Sequence, residues 1–433
     1  MYNVKVIYRG IFMEEKQKVL LVGVNLNDEF YFFKSMSELE ELVKACQMLP
    51  IGSVVQNLKE INSAFYVGSG KLEEIKDKIN ELHPDLVVFN NELSPSQLKN
   101  LELKLDIQIL DRTSIILNIF ALRAKTNEAK MQVEIAKLRY MLPRLSGLHL
   151  SLGRQGGGSG FSNKGSGEKQ IELDRRIIED RISKLNKELS ELDTRRNIQR
   201  RKRNNSEIPV VSLVGYTNAG KSTLLNTLVD LSLSDESKKV YEEDMLFATL
   251  ETSIRKIKIK DGKEFLLSDT VGFIRDLPHM LIKAFRSTLD EVKNSDLLLH
   301  VIDFSDEDYE ENIRVTNSTL KEIGAENIPV IYVFNKCDKV NDTKLPYVDG
   351  NKVYISAKNN IGINELIKVI SSNIFGEYVT CKMQIPFERG DIVSYLKGKY
   401  NFISTQYTND GTLIEICLSQ KDYGKYKQYI IEK

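Results

Sequence analysis

A chain of 433 residues is longer than one hydrophobic core sustains and fits about three domains at roughly 150 residues each. Lys plus Arg equal Asp plus Glu at 61 each, so no overall field draws the protein to nucleic acid or membrane, and any basic surface must be local. A content of 41% hydrophobic and 28% charged residues excludes wholesale disorder.

The segment Met1 to Lys18 carries charges early and has no apolar run of signal-peptide length. Apolar stretches such as Leu297 to Ile302 fall far short of the roughly 18 residues a membrane span needs. A cytoplasmic protein without a membrane span is expected, with at most loose membrane association. Cys46, Cys337, Cys381 and Cys417 form no C-x-x-C pair, and reduced thiols are expected rather than disulfides or a metal site.

From Val4 to about Phe120, short apolar runs alternate with helical patterns: Val4 to Tyr8, a helix Ser37 to Met48, Ala64 to Val67, a helix Lys71 to Leu82, Leu86 to Asn90, a helix from Ser94, and Ile107 to Leu110. This order suggests a small α/β layer with a partly parallel sheet, residues 1–125. Ser94 before Pro95 reads as an N-cap with proline at the first helical position. Gly68-Ser69-Gly70-Lys71 invites a phosphate-site reading but lacks the required spacing, and a turn opening a helix explains it more simply.

Residues 126–205 change texture. Met131, Ile135, Leu138, Leu142 and Leu145 are spaced 4, 3, 4, 3, as are Ile178, Ile182, Leu185, Leu189 and Leu192, the seams of an antiparallel helical hairpin. Between them, residues 153–167 hold seven glycines in fifteen positions, so a flexible tip is expected there, either functional or a plain loop. The second helix runs into Arg195, Arg196, Arg200, Arg201, Lys202 and Arg203, readable as a solvated linker or as a phosphate-contact patch.

Residues 206–375 carry the chemistry. Val210 to Val214 leads into Gly215-Tyr216-Thr217-Asn218-Ala219-Gly220-Lys221-Ser222-Thr223, matching G-x-x-x-x-G-K-[ST] between a strand and a helix. In such a P-loop, backbone N–H groups and the helix N-terminus receive phosphate, Lys221 reaches the β- and γ-phosphates, and Ser222 ligates Mg2+. Phe265 to Leu267 ends in Ser268-Asp269-Thr270-Val271-Gly272, which offers a carboxylate to the Mg2+ shell and a glycine N–H to the γ-phosphate. Asn335-Lys336-Cys337-Asp338 and Ser356-Ala357-Lys358 each follow a strand. An Asp carboxylate accepts from guanine N1–H and its exocyclic amine, an edge adenine lacks, so GTP is the expected substrate. Within Phe247-Ala248-Thr249-Leu250-Glu251, Thr249 is the candidate for Mg2+ and the γ-phosphate, with Thr252 as the alternative; the polar loop Ser232 to Asp244 precedes it. Catalysis is expected from Lys221, Thr249 and Gly272.

Two residues depart from the signalling-GTPase pattern. Phe273 stands where those enzymes place a water-orienting glutamine, so hydrolysis must rely on positioning, metal charge and a group from a partner or another loop. Asn218 either helps bind a monovalent cation such as K+ or simply tolerates the loop geometry.

These residues, with Asp111-Arg112-Thr113, Phe120-Ala121-Leu122-Arg123-Ala124 and Gly165-Ser166-Gly167-Glu168-Lys169-Gln170, resemble the HflX family of ribosome-associated GTPases over about residues 1–375. Ser166 and Lys169 depart from the family's usual G-P-G-E-T-Q wording. The resemblance implies a monomeric bacterial-type GTPase that binds the large ribosomal subunit and its rRNA and dissociates stalled or idle ribosomes, notably under stress. Subunit assembly, tRNA modification and a nucleotide-dependent binding role with little hydrolysis are the alternatives. The fold class expected is α/β: a P-loop GTPase domain with a mostly parallel doubly wound sheet, preceded by an α/β domain with a helical hairpin and followed by a small α+β tail, residues 376–433. In that tail, Phe402 to Tyr407 and Thr412 to Leu418 flank Asn409-Asp410-Gly411 as a hairpin, with helices at Gly390 to Leu396 and in the last residues. His83, His149, His279 and His300 are dispersed and form no ligand set.

Overall fold

The computed structural model describes residues 16–27, 31–145, 164–204, 208–232, 253–259, 263–270, 272–275, 286–340, 345–376, 378–400 and 402–432. They divide into two compact units, the first running to Gln199 and the second taking most of the chain from Arg200. The expected strand Val4 to Tyr8 lies outside the described residues.

The first unit is built on a parallel sheet of β1 (Lys18–Leu26), β2 (Leu49–Leu58), β3 (Leu86–Phe89) and β4 (Gln108–Asp111), in the order β2-β1-β3-β4. β1 and β2 were not among the expected strands, although Val19 to Val24 is a continuous apolar run of the kind a fully buried strand shows. β1 is paired on both sides and buried along seven successive positions, so it shows no alternation. β2 carries Pro50 and Gly52, ordinary breakers that an edge strand tolerates. Helices α1 (Phe32–Ala45), α2 (Ser69–Leu82) and α3 (Pro95–Leu105) connect the strands. Leu72, Ile75 and Leu101 of the last two pack on Leu20, Val22 and Val24. α1 starts five residues earlier than the expected Ser37. The expected strand Ala64 to Val67 is instead a turn: Asn62 Oδ1 accepts from Ala64 N at 2.8 Å and Phe65 N at 2.9 Å, and Tyr66 sits at φ 66. Ser94 caps α3 in a reciprocal capping box with Gln97, as the sequence indicates. Lys71 pairs with Glu74 on its own helix at 2.6 Å, which accords with the turn-and-helix reading of Gly68 to Lys71.

α4 (Arg112–Arg123) and α5 (Asn127–Met141) follow, then a 3-10 turn Leu142–Arg144 and the long helix α6 (Lys164–Asn204), about 60 Å from end to end at 1.5 Å per residue. Pro143 has no N–H to continue the α ladder, so the chain tightens at Leu142, itself still right-handed helical at φ -51 and ψ -50, into the 3-10 turn, and the last two seam positions of the first hairpin helix fall beyond α5. The second seam holds: Leu185 is buried and Ile178, Ile182, Leu189 and Leu192 are half-buried on an otherwise exposed helix. Arg181 on α6 grips Glu134 on α5 through two hydrogen bonds of 2.7 and 3.1 Å. α6 begins at Lys164 and takes in Gly165 and Gly167, which were expected in the glycine-rich tip; residues 153–163 lie outside the described set, as do the side chains of Arg195 to Arg203.

Asp111 anchors this arm. Its carboxylate is fully buried and accepts from Tyr140 Oη at 2.6 Å, Ser114 N at 2.9 Å, Ser114 Oγ at 2.8 Å and Leu93 N at 3.2 Å, with Arg144 at 3.5 Å. One carboxylate thus caps α4 and fastens the end of α5 to the sheet. Tyr140→Phe removes one hydrogen bond to this buried charge and is expected to cost about 1.5–3 kcal/mol in urea unfolding followed by circular dichroism. An unchanged midpoint would remove Asp111 as the anchor.

The second unit holds a seven-stranded sheet, β10-β11-β9-β8-β5-β7-β6, made of β5 (Val210–Val214), β6 (Ser253–Lys258), β7 (Glu264–Asp269), β8 (Leu297–Asp303), β9 (Val330–Asn335), β10 (Tyr347–Asp349) and β11 (Lys352–Tyr354). The five central strands are parallel, and β6 and β10 run antiparallel at the edges. The helices are α7 (Lys221–Asp230), α8 (Arg286–Lys293), α9 (Tyr309–Glu322) and α10 (Ile363–Phe375). Leu224, Leu228, Leu366 and Ile370 join Leu213, Leu267, Leu299 and Val333 in its core.

The tail runs β12 (Tyr378–Ile385), α11 (Gly390–Lys399), β13 (Phe402–Thr408), β14 (Gly411–Ser419), α12 (Gln420–Lys425) and β15 (Ile430–Glu432), with sheet order β13-β14-β12-β15. This is a β-α-β-β-α-β split arrangement. The hairpin falls where Asn409-Asp410-Gly411 puts it, the expected late helix is α12, and the chain then adds β15, which closes the sheet against β12.

Candidate active site

β5 is the strand at which the chain reverses its direction of travel across the sheet: β7 and β6 lie on one side, and β8, β9 and β11 on the other. Ligands bind at the carboxyl ends of strands at such a switch point. The P-loop follows β5 there, Asp269 ends β7, Asp303 ends β8, Asn335 ends β9, and Ser356 follows β11.

Lys221 opens α7 and is 7% exposed. Its ammonium donates to Gly215 O at 3.0 Å and Tyr216 O at 2.7 Å. Burial pulls its pKa down to about 8, against the pull of Asp269, while Lys336 adds to the fall. Ser222 Oγ donates to Asp269 Oδ2 at 3.2 Å. A hydroxyl beside a fully buried carboxylate is a hard-oxygen donor set that fits Mg2+. No cluster of three or more His, Cys, Asp or Glu residues able to hold a metal occurs among the described residues, so any cation here depends on hydroxyl, carboxylate, water and phosphate oxygens.

The glycines are steric necessities. A Cβ at Gly220, whose φ is 90, would lie 2.3 Å from Asn335 Nδ2, and one at Gly272 would lie 3.0 Å from Lys221 Nζ and 2.9 Å from Thr217 Cγ2. Phe273 is 1% exposed; its N donates to Gly215 O at 3.1 Å and its O accepts from Thr217 N at 2.8 Å. The residue in the glutamine position is therefore a core side chain whose backbone clamps the P-loop. Asn218, exposed at φ 59, occupies a left-handed conformation that asparagine tolerates well.

The segments Asn335 to Asp338 and Ser356 to Lys358 are tied to the P-loop through Asn335. Its Nδ2 donates to Ala219 O at 3.0 Å and its Oδ1 accepts from Ala357 N at 3.0 Å, while Thr227 Oγ1 of α7 donates to Ala357 O at 3.1 Å. Ser356 Oγ donates to Asp338 Oδ1 at 2.6 Å, orienting an exposed carboxylate. Lys336, at φ 61, pairs with Asp303 at 2.8 Å, and Ser305 N and Oγ hold the other oxygen of Asp303 at 3.0 and 2.6 Å. Asp303 escaped the sequence reading; its signal was an acid ending the apolar run Leu297 to Ile302. Cys337 is buried, and Lys358 is exposed beside Ala357. His300 is buried on β8, where burial first and Lys221 second hold its pKa down to about 3, so it is neutral. Tyr216, Thr217, Thr223, Thr270 and Gly272 fall in or against the loop; Phe247, Ala248, Thr249, Leu250, Glu251, Thr252 and Val271 lie outside the described residues.

A phosphate cradle with its lysine, a hydroxyl–carboxylate pair and an Asn-Lys-Cys-Asp turn tied to it at one switch point define a P-loop GTPase. Residues 33–121 match a family described as GTP-binding GTPase N-terminal, 123–203 its middle region, and 210–336 a 50S ribosome-binding GTPase. The chain is 42% identical to the GTPase HflX of Caldanaerobacter subterraneus subsp. tengcongensis over 96% of this chain and 94% of that one. It is 39% identical to the GTPase HflX of Escherichia coli over 83% and 84%. It thus belongs to the HflX GTPase family, and is a GTP-binding, GTP-hydrolysing enzyme. A solved GTP-binding protein from the archaeon Sulfolobus solfataricus in complex with GDP is 25% identical, with a TM-score of 0.43 over 82% of this chain and 98% of that chain. Among the described residues no helix is long and apolar enough to cross a membrane.

Phosphate beside Lys221 raises its pKa again, so the protonated form binds nucleotide more tightly. Affinity for GDP is expected to be full below about pH 7, about halved near pH 8 and about tenfold lower by about pH 9 in titration calorimetry. A flat profile would remove Lys221 as the group responsible. Gly220→Ala forces a Cβ into Asn335 and is expected to weaken GDP binding about 10- to 100-fold, or about 1.4–2.8 kcal/mol.

Proposed function

We propose that this enzyme associates with the large ribosomal subunit and its rRNA and uses GTP to dissociate stalled or idle ribosomes, notably under stress, working as a monomer in the cytoplasm. The observation that carries this reading is the match of residues 210–336 to a 50S ribosome-binding GTPase. Two features support it physically. The arm helix α6 is about 60 Å long and mostly exposed over its described side chains, as a probe into an RNA cleft must be. Its last turns carry the basic run Arg195 to Arg203, suited to phosphate contact.

In this reading Lys221 neutralises charge at the β- and γ-phosphates, and the backbone of Gly215 to Ser222 cradles them. Ser222 and Thr249 would ligate Mg2+ and Asp269 would hold its water shell; the ion's contribution is charge stabilisation on the transferring phosphoryl group. Gly272 presents its N–H to the γ-phosphate from a position where no side chain fits. Asp338 reads guanine, with Ser356, Ala357 and Lys358 framing the base. Because Phe273 is buried, the water-orienting group must come from elsewhere, and contact with the ribosome supplies a route. The left-handed backbone at Asn218 accounts for that residue without a K+ ion, so equal rates in potassium and sodium are expected.

Multiple-turnover phosphate release should rise at least tenfold on adding purified large subunits, and whole ribosomes plus GTP should sediment as separated subunits; Lys221→Ala should abolish both effects. Unchanged hydrolysis with subunits present would refute the ribosomal reading.

A further inference from the structure

We infer that the helical face of the C-terminal domain is a docking surface for the RNA backbone. The inference rests on the ribosomal reading only for the source of that RNA. It lies beyond residue 336, where the matched family segments stop.

Two Gly-Lys-Tyr triplets, Gly398-Lys399-Tyr400 at the end of α11 and Gly424-Lys425-Tyr426 at the end of α12, are brought together although 26 residues apart in the chain. Tyr395 lies between them, 44% exposed, with Lys399 Nζ 5.7 Å and Lys425 Nζ 5.3 Å from its ring centroid. Lys425 also stands 5.0 Å from the Tyr426 ring, and Lys399 stands 5.6 Å from that of Tyr400. The buried Asp422 orders this group from beneath, pairing with Lys399 at 3.0 Å and accepting from the Tyr400 hydroxyl. Lys397 and Lys427 are exposed beside it.

The glycines supply a separate argument. Gly398 and Gly424 are helical, neither has a left-handed backbone, and a Cβ added at either meets nothing within 4 Å. Nothing in the described structure calls for glycine there, and glycine is a poor helix former. Bare backbone flanked by lysines lets an outside surface approach closely. Lysines suit phosphates, and the exposed ring of Tyr395 suits a base or ribose, while Tyr426 is buried and Tyr400 partly buried beneath the lysines. An acidic protein would use the lysines but gain nothing from ring stacking. On the opposite sheet face Lys382 is paired with Glu432 at 2.5 Å and Glu415 accepts from Ser404 Oγ at 3.1 Å, so two carboxylates stand there against that one lysine.

The test is fluorescence anisotropy of the full chain with a labelled polyuridine of about twenty nucleotides and with protein-free large-subunit RNA, beside cosedimentation with intact large subunits. Lys397→Gln combined with Lys425→Gln should lower RNA affinity about tenfold and reduce the salt slope by about 1.4, the value for two single-strand phosphate contacts. Gly398→Gln, which changes no charge, should weaken binding severalfold while the thermal midpoint stays level or rises. Intrinsic GTPase rates should not move. Unchanged affinity and slope in these variants would overturn the surface. Loss of subunit binding with RNA binding intact would overturn RNA as its partner in favour of a protein. If wild type binds RNA through this face but ignores large subunits, the surface stands and the ribosomal reading falls.

Discussion

The ammonium of Lys221 is buried at the head of the central strand, and the site is built around keeping it there. A buried cation must be solvated by protein, and the carbonyls of Gly215 and Tyr216 do so at 3.0 and 2.7 Å with Asp269 as counter-charge. That solvation requires the loop to wrap back over the lysine, which the β-like bridge between Tyr216 and Phe273 maintains. The same crowding leaves Gly272 no room for a side chain. The missing glutamine is thereby explained in structural terms: the position is used to clamp the phosphate loop from the core side.

Single side chains that join several elements recur in both units. Asn335 links the phosphate loop to the Ser356-Ala357 turn through its two amide atoms, and Asp111 links two helices and a loop to the end of β4. In each case one planar group satisfies backbone and side-chain partners that would otherwise be buried unpaired. Asp303 does a related task by holding Lys336, whose left-handed backbone turns the chain so that Asp338 stands exposed.

The phosphate and guanine motifs were legible in the sequence because their chemistry demands particular residue types at short, fixed spacings, as Gly215 to Ser222 and Asn335 to Asp338 show. Ser94 and the hairpin at Asn409 to Gly411 were legible for the same local reason. β1 was legible as the apolar run Val19 to Val24 and was passed over, whereas β2 was not legible, since an edge strand tolerates Pro50 and Gly52. Nor were Leu142 and Leu145, whose regular spacing outlasts a helix that Pro143 ends.

The amino-acid order by itself determined the GTPase class, the strand ends that carry its motifs and the two helices of the arm, because each depends on spacings within a few residues. Tertiary structure decided the rest: that Phe273 faces the core, that Asp303 serves Lys336, and that two distant Gly-Lys-Tyr triplets share one face. Those pairings join residues 26 to 58 positions apart, and which strands and helices lie side by side is set by burial over the whole domain, a quantity no local spacing encodes.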